Sequence, residues 1–399
     1  MTAERAIYLD NAATTRPLPE VVDAMASTAL DCFGNPSSKH SFGPPAKQRL
    51  EDAREFLRGT LGAAEIVFTS GGSEADYLGI VGAAAMRSSG RVLMAQSDHP
   101  AILECSTLLA RWRHQVTRLP VTRTGGLDPE TLFGALGRDV AVVALLHGHN
   151  ELGTLLDLPA LVELIRRAAP DAHIHVDLVQ TYGKLPFDLD DADVDSVAVS
   201  GHKFHGPRGV GFLALSSKAR IAPLQLAGGQ EHGLRGGTEN VPGAVGLMVA
   251  AEHAMTTLGS TAQHTRALAD MVESAVLDEF PDAVRLGDPE RRLPHIVSLR
   301  IPGIVGETLM LRCDRRGLAF SIGAACHGAH DDSKPQKADN HVLAAIGFDR
   351  SAAREVFRIS FARTTTTAHV RSAIDILVDE ASALRDQAPR GNAADGARR

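Results

Sequence analysis

The sequence predicts an α/β protein built on a mostly parallel β-sheet that is covered by helices on both faces. Short apolar runs such as "EIVFTS" (65–70) alternate with segments of helical periodicity, which is the pattern of repeated strand–helix units. Polar clusters directly follow several of these runs, and open α/β sheets bind ligands at the carboxyl ends of their strands. The chain has 399 residues, 44% of them hydrophobic and 22% charged, so it is long enough for a large domain and a smaller one.

The alternation of strands and helices can be followed along the first 255 residues. Strands are predicted at 65–70, 91–97, 139–146, 173–179, 196–201 and 209–215. Helices are predicted over 73–86, 99–112 and 158–168, where apolar residues recur at helical spacing. These segments together predict a large domain that spans residues 14–255.

A smaller α+β domain is predicted from the rest of the chain, residues 1–13 and 256–386. Two long helical patterns occupy 240–280, and they are followed by apolar strands at 295–301, 318–322 and 356–362 and by helices at 305–316 and 367–386. The last residues, 387–399, are rich in Ala, Gly, Arg and Asp and show no periodicity, so they are predicted to be a disordered tail.

Composition excludes several classes of function. The net charge of −7 argues against a nucleic-acid-binding surface. No stretch approaches the roughly 18 apolar residues that span a bilayer, and the N-terminus lacks the apolar core of a signal peptide. We therefore expect a cytoplasmic protein that binds neither nucleic acid nor membranes. Its four cysteines form no CxxC pair, and a disulfide framework is not expected.

The most informative polar cluster is "SVAVSGHKFHGPRGVGFL" (196–213). Lys203 follows an apolar strand and precedes a Gly/Pro turn. A lysine that such a turn buries would have a lowered pKa, which suits an amine that forms a Schiff base. The alternative is a surface lysine in a turn. A phosphate-binding P-loop is excluded because Lys203 precedes the glycines and no Ser or Thr follows it.

A second cluster, "FTSGGSEAD" (68–76), lies between a strand and a helix start. Backbone N–H groups at a helix N-terminus bind phosphate, and glycines such as Gly72 permit close approach. Ser73 is a candidate N-cap for this helix, with Asp76 as a weak capping-box partner three residues later. Capping and phosphate binding are compatible here.

Further polar residues follow or interrupt other strands. Asp177 ends an apolar strand, where a carboxylate needs a cationic partner such as a protonated pyridine nitrogen, an arginine or a lysine, and Gln180 is near enough to share its site. His99 opens a helix and could equally be a surface residue. Arg358 lies in or beside an apolar strand, as does Arg363, and an arginine there favours a bidentate partner such as a substrate carboxylate.

The segment "SIGAACHGAH" (321–330) places Cys326 beside His327 and His330. Cys326 could be a core thiol, a metal ligand together with the two histidines, or a nucleophile. Cys105 and Cys313 lie in apolar helical patterns, and we expect both to be packing residues.

A Schiff-base lysine, a strand-end carboxylate and a phosphate site are together what pyridoxal phosphate (PLP) requires. The motifs that carry these residues resemble those of the cysteine desulfurase family, which belongs to the class V aminotransferases of PLP fold type I. The resemblance runs from residue 8 to about residue 385 through these motifs: "YLDNAATT", "GNPSSKHSFG", "FTSGGSEAD", "DHPAIL", "HNELGT", "HVDLVQTYGK", "SGHKFHGPRGVG", "GGQEHGLRGGTENV" and "GAACHGAH". It implies a large domain with a mixed, mostly parallel seven-stranded sheet and a smaller α+β domain.

The resemblance also implies a role for individual residues. Lys203 would carry PLP, His99 would stack on its ring and could act as an acid or base, and Cys326 would attack the sulfur of L-cysteine. Asp177 would pair with the pyridine nitrogen, and Gln180 would bind the ring oxygen.

Other residues would bind the phosphate and the substrate. The phosphate would be held by Gly72, Ser73, Ser200 and His202. Thr238 would reach the phosphate of the other subunit, which implies a homodimer. The substrate carboxylate would be bound by Asn150 and Arg358, with Asn35 nearby.

The resemblance implies that L-cysteine is converted to L-alanine while its sulfur passes, as a persulfide on Cys326, to an acceptor protein or small molecule. The acceptor would serve iron–sulfur cluster assembly, thiolation or synthesis of a sulfur-containing metabolite. No metal site is expected in this interpretation. The alternatives are a selenocysteine lyase acting on L-selenocysteine or a related C–S lyase, an aminotransferase or epimerase, and a metal-binding or scaffold protein that uses Cys326 and its histidines.

The chain departs from the family pattern at several positions. His149 stands where the family usually has Asn, His232 where it usually has Arg, and Tyr77 where Asn is common. The stretch between Cys326 and "HVLAAIG" (341–347) is longer than in typical members. Such changes would alter substrate choice or mark a specialised enzyme.

Overall fold

The structure is a computed structural model that describes residues 6–226, 228–322 and 340–387. Cys326, His327 and His330 lie outside the described residues, as does the predicted tail from residue 388 onward. Within the described ranges, no helix combines the length and the apolar character needed to cross a membrane.

Strands and helices alternate along the chain as the sequence predicts. The strands are β1 (Ile7–Tyr8), β2 (Glu65–Thr69), β3 (Gly90–Ala95), β4 (His114–Leu119), β5 (Val140–Leu146), β6 (His173–Asp177), β7 (Ser196–Ser200), β8 (Gly211–Leu215), β9 (Val284–Arg285), β10 (Ile296–Arg300), β11 (Leu318–Ala319) and β12 (Val356–Ser360). The α-helices are α1 (Pro19–Asp31), α2 (Gly43–Gly59), α3 (Gly72–Ala84), α4 (Pro100–Leu103), α5 (Cys105–Arg111), α6 (Pro129–Ala135), α7 (Leu158–Ala168), α8 (Val241–Thr256), α9 (Leu258–Glu279), α10 (Gly306–Arg315), α11 (His341–Ala345), α12 (Arg350–Ala353) and α13 (Thr367–Gln387).

The main sheet has seven strands in the order β2-β8-β7-β6-β5-β3-β4. Strand β8 runs antiparallel to both of its neighbours, and the other pairs are parallel. Every residue of β5, β6 and β7 is buried, because helices cover both faces of these strands. This burial explains why the strands are continuous apolar runs rather than alternating ones. The predicted α/β class with a mixed, mostly parallel seven-stranded sheet is confirmed.

Two predicted helices differ in detail from the observed ones. The helix predicted over 99–112 is two helices, α4 and α5, that meet at Glu104. The helix predicted to start with Ser73 as its N-cap begins one residue earlier, at Gly72, and its N-cap is Gly71 without a side-chain cap. The prediction of Ser73 as the N-cap is therefore wrong. The first N–H groups of α3 are left to bind something other than a capping side chain.

The second sheet is antiparallel, in the order β12-β10-β9, and packs against α9 and α10, both of which contact α13. The buried side chains of α8 belong to the core cluster of the main sheet, whereas those of α9 belong to the cluster around β10 and β12. The predicted domain boundary near residue 255 coincides with the junction of α8 and α9, and the domain assignment stays a prediction.

The N-terminal segment crosses from the second sheet to the main one. Strand β1 pairs in parallel with β11, and the Asn11 amide donates to the carbonyl of Ser360 at 2.9 Å. A few residues later, the Thr15 N–H donates to the carbonyl of His202 at 2.8 Å. Residues 10–15 therefore lie between β12 and the turn that follows β7.

Candidate active site

A cavity of about 490 Å³ opens at the carboxyl ends of the central strands of the main sheet. Its walls come from the N-terminal segment, the start of α3, the segments after β3, β5, β6 and β7, and strand β12. Of the residues predicted from the sequence, the cavity is lined by Gly72, Ser73, His99, Asn150, Asp177, Gln180, Ser200, His202, Lys203 and Arg358. These residues lie between positions 72 and 358 of the sequence, and the fold brings them together at one edge of the sheet.

Lys203 ends a short 3-10 helix that directly follows β7. Its ammonium group donates to the carbonyl oxygens of Ala12 and Ala13, at 2.8 Å each. The side chain is half-buried and lines the cavity. Lys203 is therefore not a surface lysine in a turn, which was the alternative.

Asp177 is the last residue of β6 and is buried. One carboxylate oxygen accepts from the N–H of Val179 at 2.7 Å. Burial, together with the neighbouring carboxyl of Asp76, raises the pKa of Asp177 well above its ordinary value, and the Val179 N–H and Lys203 oppose this rise. Within the described chain the Asp177 carboxylate is therefore poorly compensated, as expected for a group that faces a cationic ligand.

Gln180 follows one turn later and is also buried. Its amide nitrogen donates to the carbonyl of Ala12 at 2.9 Å, and its amide oxygen lies 3.4 Å from Nε2 of His295. Both ends of the amide are thus engaged, which fixes its orientation toward the cavity.

The start of α3 forms a narrow cradle with the end of β7. A Cβ atom added to Gly72 would lie 2.6 Å from Val179 Cγ2 and 3.4 Å from the Cβ of Ser200, so a larger residue would fill the cradle. Because the N-terminus of α3 has no side-chain cap, its N–H groups and helix dipole favour an anion at this point.

His202 lines the same cavity, two residues after Ser200. Its Nδ1 is 3.1 Å from the Thr14 hydroxyl. Burial and the charges of Lys203 and Arg208 lower the pKa of His202 to about 4, so the imidazole is neutral at pH 7.

His99 is the N-cap of α4, and its Nδ1 accepts from the Ala101 N–H at 3.1 Å. Because Nδ1 is an acceptor, the ring proton is on Nε2. Burial, followed by the positive charges of Lys203 and His341, lowers the pKa of His99 to about 4. The alternative of an outer surface histidine is excluded, since this neutral ring lines the cavity.

Arg358, in the middle of β12, is only 2% exposed. Its guanidinium donates to the Asn150 carbonyl at 2.8 Å and to an Asp10 carboxylate oxygen at 2.6 Å. Its Nε is buried without a hydrogen-bond partner among the described residues. A guanidinium held in this way retains donor capacity for a further anionic group in the cavity.

Two predicted site residues lie away from this cavity. Asn35 is exposed, and its side-chain oxygen accepts from the Ser37 N–H at 2.9 Å. Thr238 is exposed in the loop before α8. Neither side chain lines the cavity of its own chain, so the structure does not join them to the other predicted residues.

Sequence reasoning missed several cavity residues. Glu74 lines the cavity and pairs with Arg235 at 2.9 Å, and the exposed Arg208 also lines it. Asp10 does not line the cavity, but its carboxylate orients Arg358, which does. Asp76, predicted as a weak capping partner, instead contacts His175 at 3.1 Å and faces the cavity. Glu74 could have been predicted from the sequence, because it lies in the "SGGSEAD" motif beside a helix N-terminus. Asp10 could not, because its position depends on its contact with Arg358 in the distant strand β12.

The residues at which the chain departs from its family pattern have different settings. His149 is buried, with Nε2 donating to the Ser97 carbonyl at 3.0 Å and Nδ1 accepting from the Glu151 N–H at 3.1 Å. It thus connects the segment that precedes His99 to the segment that follows β5. His232, by contrast, is exposed and pairs with Glu65 at 3.1 Å. Tyr77 is exposed on α3.

The fold and the arrangement of the cavity are those of an aminotransferase-like enzyme, and comparisons with known proteins agree. The family model described as aminotransferase class V matches residues 7–372. The chain therefore belongs to the class-V aminotransferase family, and the resemblance inferred from its motifs is confirmed.

The similar proteins are desulfurases and their structural relatives. Cysteine desulfurase NifS of Azotobacter vinelandii is 38% identical, and the match covers 96% of this chain and 94% of that protein. A solved structure named NifS-like protein superposes with a TM-score of 0.86 at 32% identity, covering 94% of this chain and 99% of its own. A structure titled SspA in complex with cysteine superposes with a TM-score of 0.76 at 29% identity, over 90% and 99% of the two chains.

Proposed function

We propose that this protein is a PLP-dependent cysteine desulfurase. It converts L-cysteine to L-alanine and takes up the sulfur on Cys326. In this reaction the C–S bond of the substrate breaks, an S–S bond forms at Cys326, and the hydrogen lost from the two thiols is gained at the substrate Cβ. The observation that carries the proposal is the meeting, in one cavity, of Lys203, Asp177, His99 and Arg358.

The chemistry of the cavity fits PLP. The buried Asp177 carboxylate suits a pyridinium N–H, and the cradle at Gly72, which a side chain would fill, suits a phosphate. PLP, when bound, withdraws electrons from the Cα of an amino acid substrate. Lys203 would bind it covalently and Gln180 would bind its ring oxygen. Its phosphate would be held by Gly72, Ser73, Ser200 and His202.

The chain's own groups then bind and orient the substrate. Arg358, oriented by Asp10 and the carbonyl of Asn150, would bind the substrate carboxylate, and the Asn150 side chain would assist it. His99 would stack on the cofactor ring as a neutral imidazole and would hold its exchangeable proton at Nε2. Nε of Arg358 supports this role, because among the described residues it has no hydrogen-bond partner and a substrate carboxylate would supply the acceptor.

Two other cysteines of the chain are poor candidates for the nucleophile, which supports the proposal of Cys326. Burial raises the pKa of both Cys105 and Cys313 to about 12, which leaves these thiols unreactive near neutral pH. Cys326 follows Ser321 by five positions in the sequence, and the backbone of Ser321 hydrogen-bonds to that of Arg358. Five positions of extended chain span at most about 18 Å, and this short separation in sequence supports the proposal that Cys326 serves this cavity.

The proposed function also involves a homodimer and an acceptor for the sulfur. Thr238 is exposed and does not line the cavity of its own chain, which supports a role at the site of a second subunit. The outer sulfur of a persulfide on Cys326 must pass to an acceptor, and the uses that we propose for it are iron–sulfur cluster assembly, thiolation or the synthesis of a sulfur-containing metabolite.

The test is turnover of L-cysteine with alanine and total sulfur measured together. We expect the wild type to release alanine in proportion to cysteine consumed, and Cys326→Ala to release none. Cys32→Ala is the matched control, because Cys32 is a half-buried thiol that does not line the cavity, and it should retain full activity. Failure of the wild type to form alanine would exclude the proposal. Retained turnover of L-selenocysteine by Cys326→Ala would favour a selenocysteine lyase instead.

A further inference from the structure

A line of hydrogen-bonded side chains leads from the cavity to the opposite end of the main sheet. We call it the buried relay, and its members are Asp76, His175, Ser196 and His173. The Asp76 carboxyl lines the cavity and lies 3.1 Å from Nε2 of His175. Nδ1 of His175 is 2.8 Å from the Ser196 hydroxyl, which is 2.7 Å from Nε2 of His173.

The fold is adapted to hold this line of groups inside the protein. His175 and Ser196 are fully buried, and Asp76 is 1% exposed. Helix α3 has a glycine, Gly79, where it passes over His175, and a Cβ atom there would lie 2.4 Å from Nδ1 of the imidazole. Helix α3 therefore approaches the sheet closely enough for the relay only because residue 79 has no side chain.

The two ends of the relay lie in different solvent-facing sites. His173 is the first residue of β6, and it lines a surface pocket of about 570 Å³ together with Arg166, Asp193, Asp195 and Lys218. Asp177, at the cavity, is the last residue of the same strand. The first and last residues of β6 are about 13 Å apart for a rise of four residues, so the strand that carries His173 and His175 joins the surface pocket to the cavity edge.

Every link in the relay can carry a hydrogen bond in either direction. A hydroxyl both donates and accepts, and a neutral imidazole has one N–H and one lone pair. Burial lowers the pKa of His175 to about 3 and that of His173 to about 4, so both rings are neutral. Burial raises the pKa of Asp76 to about 8, so this carboxyl holds a proton at neutral pH and exchanges it near there.

We propose that the buried relay conducts protons between the carboxyl groups beneath the cofactor site and the solvent in the opposite surface pocket. A proton enters His173 at Nδ1 while its Nε2 proton passes to Ser196. The Ser196 proton passes to Nδ1 of His175, and the Nε2 proton of His175 passes to the Asp76 carboxylate, which has first released its own proton on the cavity side. One proton moves through the sheet, each imidazole ends neutral with its tautomer reversed, and nothing is oxidised or reduced.

The use of such a path rests on the proposed function. PLP in the cavity would cover Asp177 and Asp76 and separate them from the solvent at the mouth. The charged groups that face Asp76 are the carboxyls of Asp177 and Asp98, and Lys203 acts on Asp177 from the other side. The relay lets this enclosed group of carboxyls reach its equilibrium protonation without removal of the cofactor.

The test is hydrogen–deuterium exchange of the Asp76 carboxyl, followed by infrared spectroscopy after transfer of the holoenzyme to D₂O. The C=O stretching band of the protonated acid is assigned as the band that Asp76→Asn removes. We expect Ser196→Ala to slow exchange of this band by about tenfold or more, the rate equivalent of one lost hydrogen-bond link. Ser196→Thr, which keeps the hydroxyl, should exchange at close to the wild-type rate.

Ser216→Ala is the matched control. Ser216 is buried directly after β8, and its hydroxyl has no hydrogen-bond partner among the described residues, so its loss should not change the exchange rate. Equal rates in Ser196→Ala and wild type would overturn the proposal, as would the absence of any acid band that depends on Asp76. Alanine formation by the same samples is measured separately, so a failure of the relay and a failure of the desulfurase proposal are distinguishable.

Discussion

Replacement of Arg358 by lysine is expected to weaken the use of L-cysteine through the loss of carboxylate binding. Arg358 is buried and already donates to the Asn150 carbonyl and to Asp10, while its Nε has no partner in the described chain. Lysine can keep the ion pair with Asp10, but it cannot present a fork of donors to a second carboxylate. A hydrogen bond to a charged group contributes about 1.5–3 kcal/mol, so kcat/KM should fall roughly 10- to 150-fold.

The assay is steady-state alanine release, combined with absorbance titration of the bound cofactor by L-cysteine and by cysteamine. Cysteamine has the same amine and thiol but no carboxylate, so Arg358→Lys should leave its affinity almost unchanged. Arg363→Lys is the control, because Arg363 follows β12 closely and lies outside the lining of the cavity. If Arg358→Lys weakened the binding of cysteamine as much as the binding of L-cysteine, the assignment of Arg358 to the substrate carboxylate would be refuted.

Three further predictions concern stability and protonation. Arg54→Met should lower the free energy of unfolding in urea by about 3–5 kcal/mol, because it leaves the buried Glu231 carboxylate, now bonded at 2.8 and 3.0 Å, without its cation. Gly79→Ala should cost about 1–3 kcal/mol in the same assay, since its Cβ would overlap His175. The His99 imidazole should remain neutral as the pH falls from 7 to 5, because its pKa is lowered to about 4; histidine NMR titration of the apoenzyme measures this.

Each of these predictions has a control or a contrary outcome. Arg58→Ala removes an exposed pair with Glu55 in the same helix and should change stability far less than Arg54→Met, because solvent screens such a pair. Gly59→Ala places its Cβ in open space, so a loss equal to that of Gly79→Ala would contradict the overlap argument. For His99, a titration midpoint near 6.5, assigned by comparison with His99→Gln, would show that burial does not hold the ring neutral.

The parts of the site that sequence analysis could predict are those that follow strands. Lys203 and Asp177 come directly after or at the end of apolar runs, and the parallel sheet necessarily brings such positions to one edge. The glycines before α3 indicate a helix N-terminus by their own local pattern. For the same reason the fold class and most strand positions could be derived from periodicity alone.

The parts that sequence analysis could not predict depend on contacts between distant segments. The ion pair of Asp10 with Arg358 joins residues that are 348 positions apart, and no local sequence pattern predicts it. The prediction of Ser73 as the N-cap was wrong because the N-cap is Gly71, and no side chain caps the first N–H groups of the helix. These N–H groups face the cavity, and the local sequence pattern does not indicate this. The relay through His175 likewise depends on how α3 packs on the sheet.

The most direct measurement of the central claim is mass spectrometry of the Cys326 peptide after incubation of the holoenzyme with L-cysteine and no acceptor. The account predicts that this thiol gains one sulfur atom while an equal amount of alanine is released, and that addition of dithiothreitol removes the sulfur. Release of alanine while Cys326 remains an unmodified thiol would contradict it.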